Sequence, residues 1–317
     1  MLRLTIQSLT PLHAAQRQQL AQLTMSQHDA WQISEDGLAM FLLVADADGA
    51  QRVPLAMGAA DDHKNANDSC DATSMQDMLA ALYPKLNAYC LTQQLDCNLV
   101  PAHWALKDFR LLVMDMDSTL INIECLDEMA DFCGRKAEVA ALTEAAMRDA
   151  TMDFSRNLKQ RLALLSGVSE DVLQHVYHER LQLSPGAQTL LQAVKQVGMK
   201  TLLVSGGFTF FTEKLQQQLG LDFVRANTLE VCDGKLTGKV MGDIVDAQRK
   251  ARTVEKTCAT LNISPHQAIV IGDGSNDLEM MRIAGLSVAF RAKPVVRARA
   301  VMALNFVGLD GVLRVLN

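Results

Sequence analysis

The sequence predicts an α/β protein in two parts, and three observations carry that reading. Residues 109–114 (FRLLVM), 199–205 (MKTLLVS) and 268–272 (AIVIG) are continuous apolar runs separated by helical stretches, the pattern of parallel strands buried on both faces. Residues 1–100 follow a different pattern, β-α-β-β-α-β. The chain has 317 residues, which at about 150 per domain makes two domains.

In the first part, Leu2, Leu4 and Ile6 alternate with polar residues and predict a strand. Pro11 to Thr24 carries Leu12, Ala15, Leu20 and Leu23 at helical spacing. Leu38–Ala45 and Gln51–Met57 read as two strands around the turn at 46–49, and 58–74 is a polar loop. A helix over Ser74–Gln94 and a strand over Leu95–Val100 complete the order. This is the plan of a ferredoxin-like α+β domain at 1–100. Residues 108–317 then form a Rossmann-like parallel sheet core.

Composition excludes several classes of function. The formal charge is −6, with no electrostatic footprint for nucleic acid or an anionic membrane. The longest apolar run, Leu38–Ala45, falls short of the roughly 18 residues that span a bilayer. The N-terminus lacks the apolar block of an export signal, so a cytoplasmic location is expected. Seven cysteines without C-x-x-C spacing support neither a disulfide framework nor a zinc ribbon.

In open α/β sheets, ligands bind beyond the carboxyl ends of the strands. Those ends hold Asp115-Met116-Asp117-Ser118-Thr119, then Ser205-Gly206-Gly207, then Gly272-Asp273-Gly274-Ser275-Asn276-Asp277. Carboxylates this close repel unless a divalent cation joins them, and Mg²⁺ suits a site of few carboxylates, water and phosphate oxygens. One carboxylate can attack phosphorus, and a second can pass a proton to the leaving oxygen. Ser205 and the N–H groups of a glycine turn can cradle phosphate. Lys250 supplies fixed positive charge to a transferring phosphoryl group. Asn276 can bond the phosphate or orient Lys250.

These motifs (DMDSTLINIECLDEMA, VSGGF, the lysine of DAQRKART, IGDGSNDLEM) resemble those of the haloacid-dehalogenase-type phosphatases. The resemblance spans about 108–317 and is narrowest with the members that act on O-phospho-L-serine. It implies Asp115 as nucleophile and Asp117 as general acid and base. It implies Mg²⁺ held by Asp115, the Asp117 carbonyl and Asp273, with Asp277 in support. Ser205, Gly206, Lys250 and Asn276 are implied to bind phosphate. A helical cap inserted at about 122–184 is implied to select the substrate, with Glu124 taking an ammonium group and Arg161 clamping a carboxylate. A guanidinium suits that two-point contact. The implied reaction is hydrolysis of phosphoserine to L-serine and phosphate, the last step of serine biosynthesis.

Two alternatives stand beside it. The same site can serve another small phosphate ester such as phosphohomoserine, by hydrolysis or by phosphoryl transfer. The chain can also be a ligand sensor with a vestigial phosphatase part. Residues 1–100 are read as a regulatory, packing or homodimerising element, and the expected partner is a small phosphate ester.

Overall fold

A computed structural model describes residues 2–24, 32–34, 38–44, 75–148 and 154–316. The chain divides into two compact units, one of Met1–Asp108 with Val288–Asn317 and one of Phe109–Ser287. The sequence reading kept 288–317 with the second part.

In the first unit, strands β1 (Leu2–Gln7), β2 (Gln32–Ile33), β3 (Ala39–Val44) and β4 (Asp96–Pro101) form an antiparallel sheet in the order β2-β3-β1-β4. Helices α1 (Ala14–Leu23) and α2 (Met75–Thr92) join them. One sheet face is apolar: Leu4, Ile6, Cys97 and Leu99 pack with Leu20, Leu86 and Cys90 of the helices. Strand β3 is the first of the two strands expected around 46–49 and pairs with the short β2 at Gln32–Ile33, while the strand expected at 51–57 lies outside the described residues. A two-residue strand with both side chains exposed has no alternation by which to be seen.

The other face of β1 and β4 is polar, yet Thr5, Gln7, Asp96 and Asn98 are all buried. The C-terminal residues of the same unit cover it. Asp96 accepts hydrogen bonds from the backbone N–H groups of Asn305, Phe306 and Val307 at 2.7–3.0 Å. Asn98 accepts one from Ala303 at 2.8 Å. Arg3 donates to the carbonyl of Val315 at 2.9 Å.

The remaining elements follow in order. Strand β5 (Leu111–Met114) leads into helices α3 (Cys125–Phe132), α4 (Lys136–Arg148), α5 (Phe154–Ala163), α6 (Asp171–Glu179) and α7 (Ala187–Gln196). Next come β6 (Lys200–Phe208), α8 (Thr209–Leu219), β7 (Phe223–Cys232), β8 (Lys235–Met241), α9 (Ala247–Thr260) and β9 (Ala268–Gly272). The last are α10 (Leu278–Ile283), β10 (Leu286–Phe290), α11 (Pro294–Arg297), β11 (Met302–Leu304) and α12 (Gly311–Leu316). The sheet order is β11-β10-β9-β5-β6-β7-β8, with β10–β11, β9–β5, β5–β6 and β6–β7 parallel and β7–β8 antiparallel.

That antiparallel pair turns at Asp233-Gly234, both at positive φ (51° and 72°), as a two-residue hairpin turn requires. The segment holding α3 to α6 leaves and rejoins the sheet at one place. Ile121 bridges Leu183, Asn122 N–H donates to the carbonyl of Gln182, and Ser184 N–H donates to that of Leu120. Among the described residues no helix is long and apolar enough to cross a membrane.

Candidate active site

The central strands β9, β5 and β6 lie side by side, with Met114 opposite Ile271 on one side and Leu203 on the other. Their carboxyl ends therefore deliver Asp115, Asp273 and Ser205 to one edge. Strands β5 and β9 are fully apolar and buried until they end, and β6 is buried from Thr201 to Ser205, which fixes the register and aims the polar residues at the sheet's rim. The backbone N–H of Asp115 still donates to Ile271 at 3.0 Å, so the sheet holds the first carboxylate rigidly.

Beyond Asp115 the chain makes a tight five-residue turn, Met116–Leu120. The Asp115 Oδ1 accepts from Met116 N–H at 2.7 Å. Ser118 sits at φ 54°, a left-handed conformation that a non-glycine residue adopts at some strain. The turn brings Asp117 back over the strand ends, where its Oδ1 accepts from Cys125 N–H at 3.0 Å. Gly207 is open to this approach because a Cβ there would stand 2.5 Å from Asp117 Oδ2. A Cβ on Gly206 would stand 2.6 Å from the ring of Phe154, at the start of α5.

Lys250, from the first turn of α9, is wholly buried between two carboxylates, 2.8 Å from Asp115 Oδ2 and 2.8 Å from Asp277 Oδ1. Asp246 caps α9 by accepting from Arg249 N–H at 2.8 Å, which fixes where Lys250 begins its reach. The second oxygen of Asp277 accepts from the N–H groups of Asp273 and Gly274 at 3.2 and 3.0 Å, shaping the loop. Asp273 is held by Thr119 Oγ1, which donates to it at 2.9 Å.

Oxygens of Asp115, Asp273 and Asp277 all lie within 4.8 Å of one another. Three carboxylates against one ammonium leave a local charge of −2 when ionised. The charge and the all-oxygen donor set both match a hard divalent cation. The protonation energetics point the same way. Burial, then Asp277, push the Asp115 carboxyl well above its ordinary range despite Lys250. Burial and the charge of Asp277 raise Asp273 to about 7, against the bond from Thr119. Burial and Glu124 raise Asp117 to about 7, against its bonds from Cys125. Lys250 is held charged: its two carboxylate partners outweigh its desolvation and raise its pKa. Such perturbed groups gathered at a strand edge mark a functional site.

The other expected residues fall around this centre. Ser205 is buried, and its Oγ accepts from Gly207 N–H at 2.8 Å, which closes the turn. Asn276 folds over Gly274, where a Cβ would lie within 2.2 Å of its Oδ1. Glu124 is the residue before α3 and accepts from Ser118 Oγ at 2.7 Å. Arg161 on α5 is ion-paired with Asp127 rather than set against the acidic centre, and its Nε is buried with no hydrogen-bond partner. Asp127 lies three residues after Glu124, on the same turn of α3, so both head-group candidates attach to one helix start. Thr119, Ser118 and Asp127 carry these bonds, and the sequence reading gave none of them a role. All three lie inside the motif DMDSTLINIECLDEMA at 115–130.

Residues 112–282 match the haloacid dehalogenase-like hydrolase family, and the chain belongs to it. More particularly, the chain is similar to the phosphoserine phosphatase of a Polaromonas species, 55% identical over 220 residues that are 68% of this chain and 93% of that one. Among solved structures it resembles the probable phosphoserine phosphatase of Vibrio cholerae (TM-score 0.74, 32% identical), over 99% of this chain and 86% of that one. It also resembles a HAD-family hydrolase of Salmonella enterica serovar Typhi (TM-score 0.81, 27% identical), over 100% and 99% of the two chains.

Proposed function

We propose that this chain hydrolyses O-phospho-L-serine to L-serine and phosphate, with Mg²⁺ as its cation. The observation that carries the reading is the single ammonium of Lys250 set between Asp115 and Asp277, inside a cluster of carboxylates that includes Asp273. The likeness to phosphoserine phosphatases supports the choice of substrate.

In the first step an oxygen of Asp115 attacks phosphorus and the P–O bond to the serine oxygen breaks. Asp117, protonated up to about pH 7, gives its proton to that oxygen. In the second step Asp117 takes a proton from water as the water oxygen attacks phosphorus. The bond to Asp115 then breaks, and phosphate leaves. Lys250, Ser205 and the N–H group of Gly206 hold the phosphoryl oxygens as charge builds on them. The carboxylates of Asp115 and Asp273 and the carbonyl of Asp117, with Asp277 in support, would hold Mg²⁺, which supplies charge neutralisation and orientation when bound. Glu124 receives the substrate ammonium and Arg161 its carboxylate, while Asn276 closes on the phosphate.

The domains are 1–100, a ferredoxin-like module on the evidence of its antiparallel order β2-β3-β1-β4, and 108–317, the phosphatase with its cap at about 122–184. A panel of phosphate esters assayed for phosphate release, with and without Mg²⁺, tests the function. Phosphoserine should lead the panel. Preference for phosphohomoserine, or no turnover of any ester with Mg²⁺, would overturn the reading.

A further inference from the structure

We infer that Asn227, which lies outside every motif described above, is a positioning residue for the phosphate cradle, joining the Ser205–Gly207 turn to the segment that sets Lys250. The inference rests on the phosphate-ester reading of the site. Strands β6 and β7 pair regularly through Val204 and Arg225, slip, and resume with Phe208 opposite Asn227. The slip takes residues 205–207 out of regular pairing with β7, so that Gly207 N–H turns in to Ser205 Oγ and the Gly206 carbonyl turns toward a side chain. Asn227 Nδ2 donates to that carbonyl at 2.8 Å.

The other end of the same amide, Oδ1, accepts from Val245 N–H at 2.8 Å. Val245 precedes Asp246, whose side chain caps α9 and whose carbonyl accepts from Lys250 N–H at 2.8 Å. One carboxamide, 2% exposed, thus joins the Ser205–Gly207 turn to the segment that starts α9. The partners fix its orientation, since a carbonyl needs the NH₂ end and an N–H needs the oxygen. Catalytic donors act by being in place before charge develops, and a free Gly206 peptide would let both move. Asn227 itself touches no substrate.

The test compares Asn227→Asp, nearly isosteric but unable to donate when ionised, and Asn227→Ser with the unchanged full-length chain. Inhibition by inorganic phosphate and by L-serine is measured with p-nitrophenyl phosphate as substrate, alongside a thermal unfolding curve. The phosphate inhibition constant should rise about tenfold or more in both variants, with the L-serine constant staying within about twofold. Unchanged phosphate inhibition in a folded variant, or parallel loss of phosphate and serine binding, would overturn the inference. Should Asn227→Asp fail to fold, Asn227→Ser decides by the same two constants. The unchanged chain decides the substrate separately. Turnover of p-nitrophenyl phosphate but not of phosphoserine would sink the amino-acid reading and leave the Asn227 comparison standing.

Discussion

Lys250 and Asp115 form a buried ion pair at 2.8 Å in which the lysine is also held by Asp277. The ammonium thus neutralises the attacking group and the loop of Asp273 at once. Asp115→Asn should abolish turnover, a fall of about 10⁴-fold or more in kcat, because an amide does not attack phosphorus. Lys250→Met should lower kcat by about 10²–10³-fold. It should also destabilise the fold by about 3–5 kcal/mol, since two buried carboxylates lose their counter-charge. Steady-state phosphate release and urea unfolding measure the two effects. Ordinary activity in Asp115→Asn would exclude the covalent route.

The metal-free chain should become less stable as pH rises. Asp117 and Asp273 both reach about 7 in the folded protein, against about 4 when unfolded. The folded state therefore binds protons more tightly. Its advantage is complete below about pH 4, declines as pH rises, and is gone above about pH 7. Thermal midpoints in a chelating buffer between pH 5 and 8 check this, and a midpoint that climbs over that range would contradict it.

Mg²⁺ should reverse that trend. A cation bound only by the folded carboxylates stabilises in proportion to the logarithm of its concentration, about 2.7 kcal/mol at a hundredfold excess over its dissociation constant. The midpoint at pH 7.5 should rise with added Mg²⁺ in the unchanged chain and stay flat in Asp273→Asn. Equal shifts in both would remove Asp273 from the metal set.

Arg161→Ala should raise KM for phosphoserine by about 10–100-fold while changing p-nitrophenyl phosphate little, since the second substrate has no carboxylate to clamp. Asp127→Asn should show the same selectivity at smaller size, because it loosens Arg161 without removing it. Equal losses on both substrates would take Arg161 out of head-group recognition.

Asp96→Ala should destabilise the first unit by about 1–3 kcal/mol, because it strands the N–H groups of Asn305, Phe306 and Val307. Turnover per folded molecule should hold near that of the unchanged chain. Urea unfolding and specific activity on the same samples decide it.

How much of this was legible beforehand depended on whether a residue's role lay in its own neighbourhood. Asp115, Ser205 and Asp273 each follow an apolar run, and strand ends in an open sheet are where ligands bind, so their convergence could be read in sequence order. Asn227 could not: its meaning comes from a strand slip and from a backbone N–H 18 residues away. The pairing of Arg161 with Asp127 spans 34 residues and depends on how α3 and α5 pack. The β7–β8 hairpin did leave a signal, since Asp233-Gly234 between apolar runs is a turn dipeptide. The short strand at Gln32–Ile33 left none.

Asp96 and Asn98 accept hydrogen bonds from partners 205 to 211 positions further along the chain. Proteins are made from the amino end at about 5–20 residues per second. For some tens of seconds the nascent sheet would thus carry an uncovered polar face, waiting for residues made long after it.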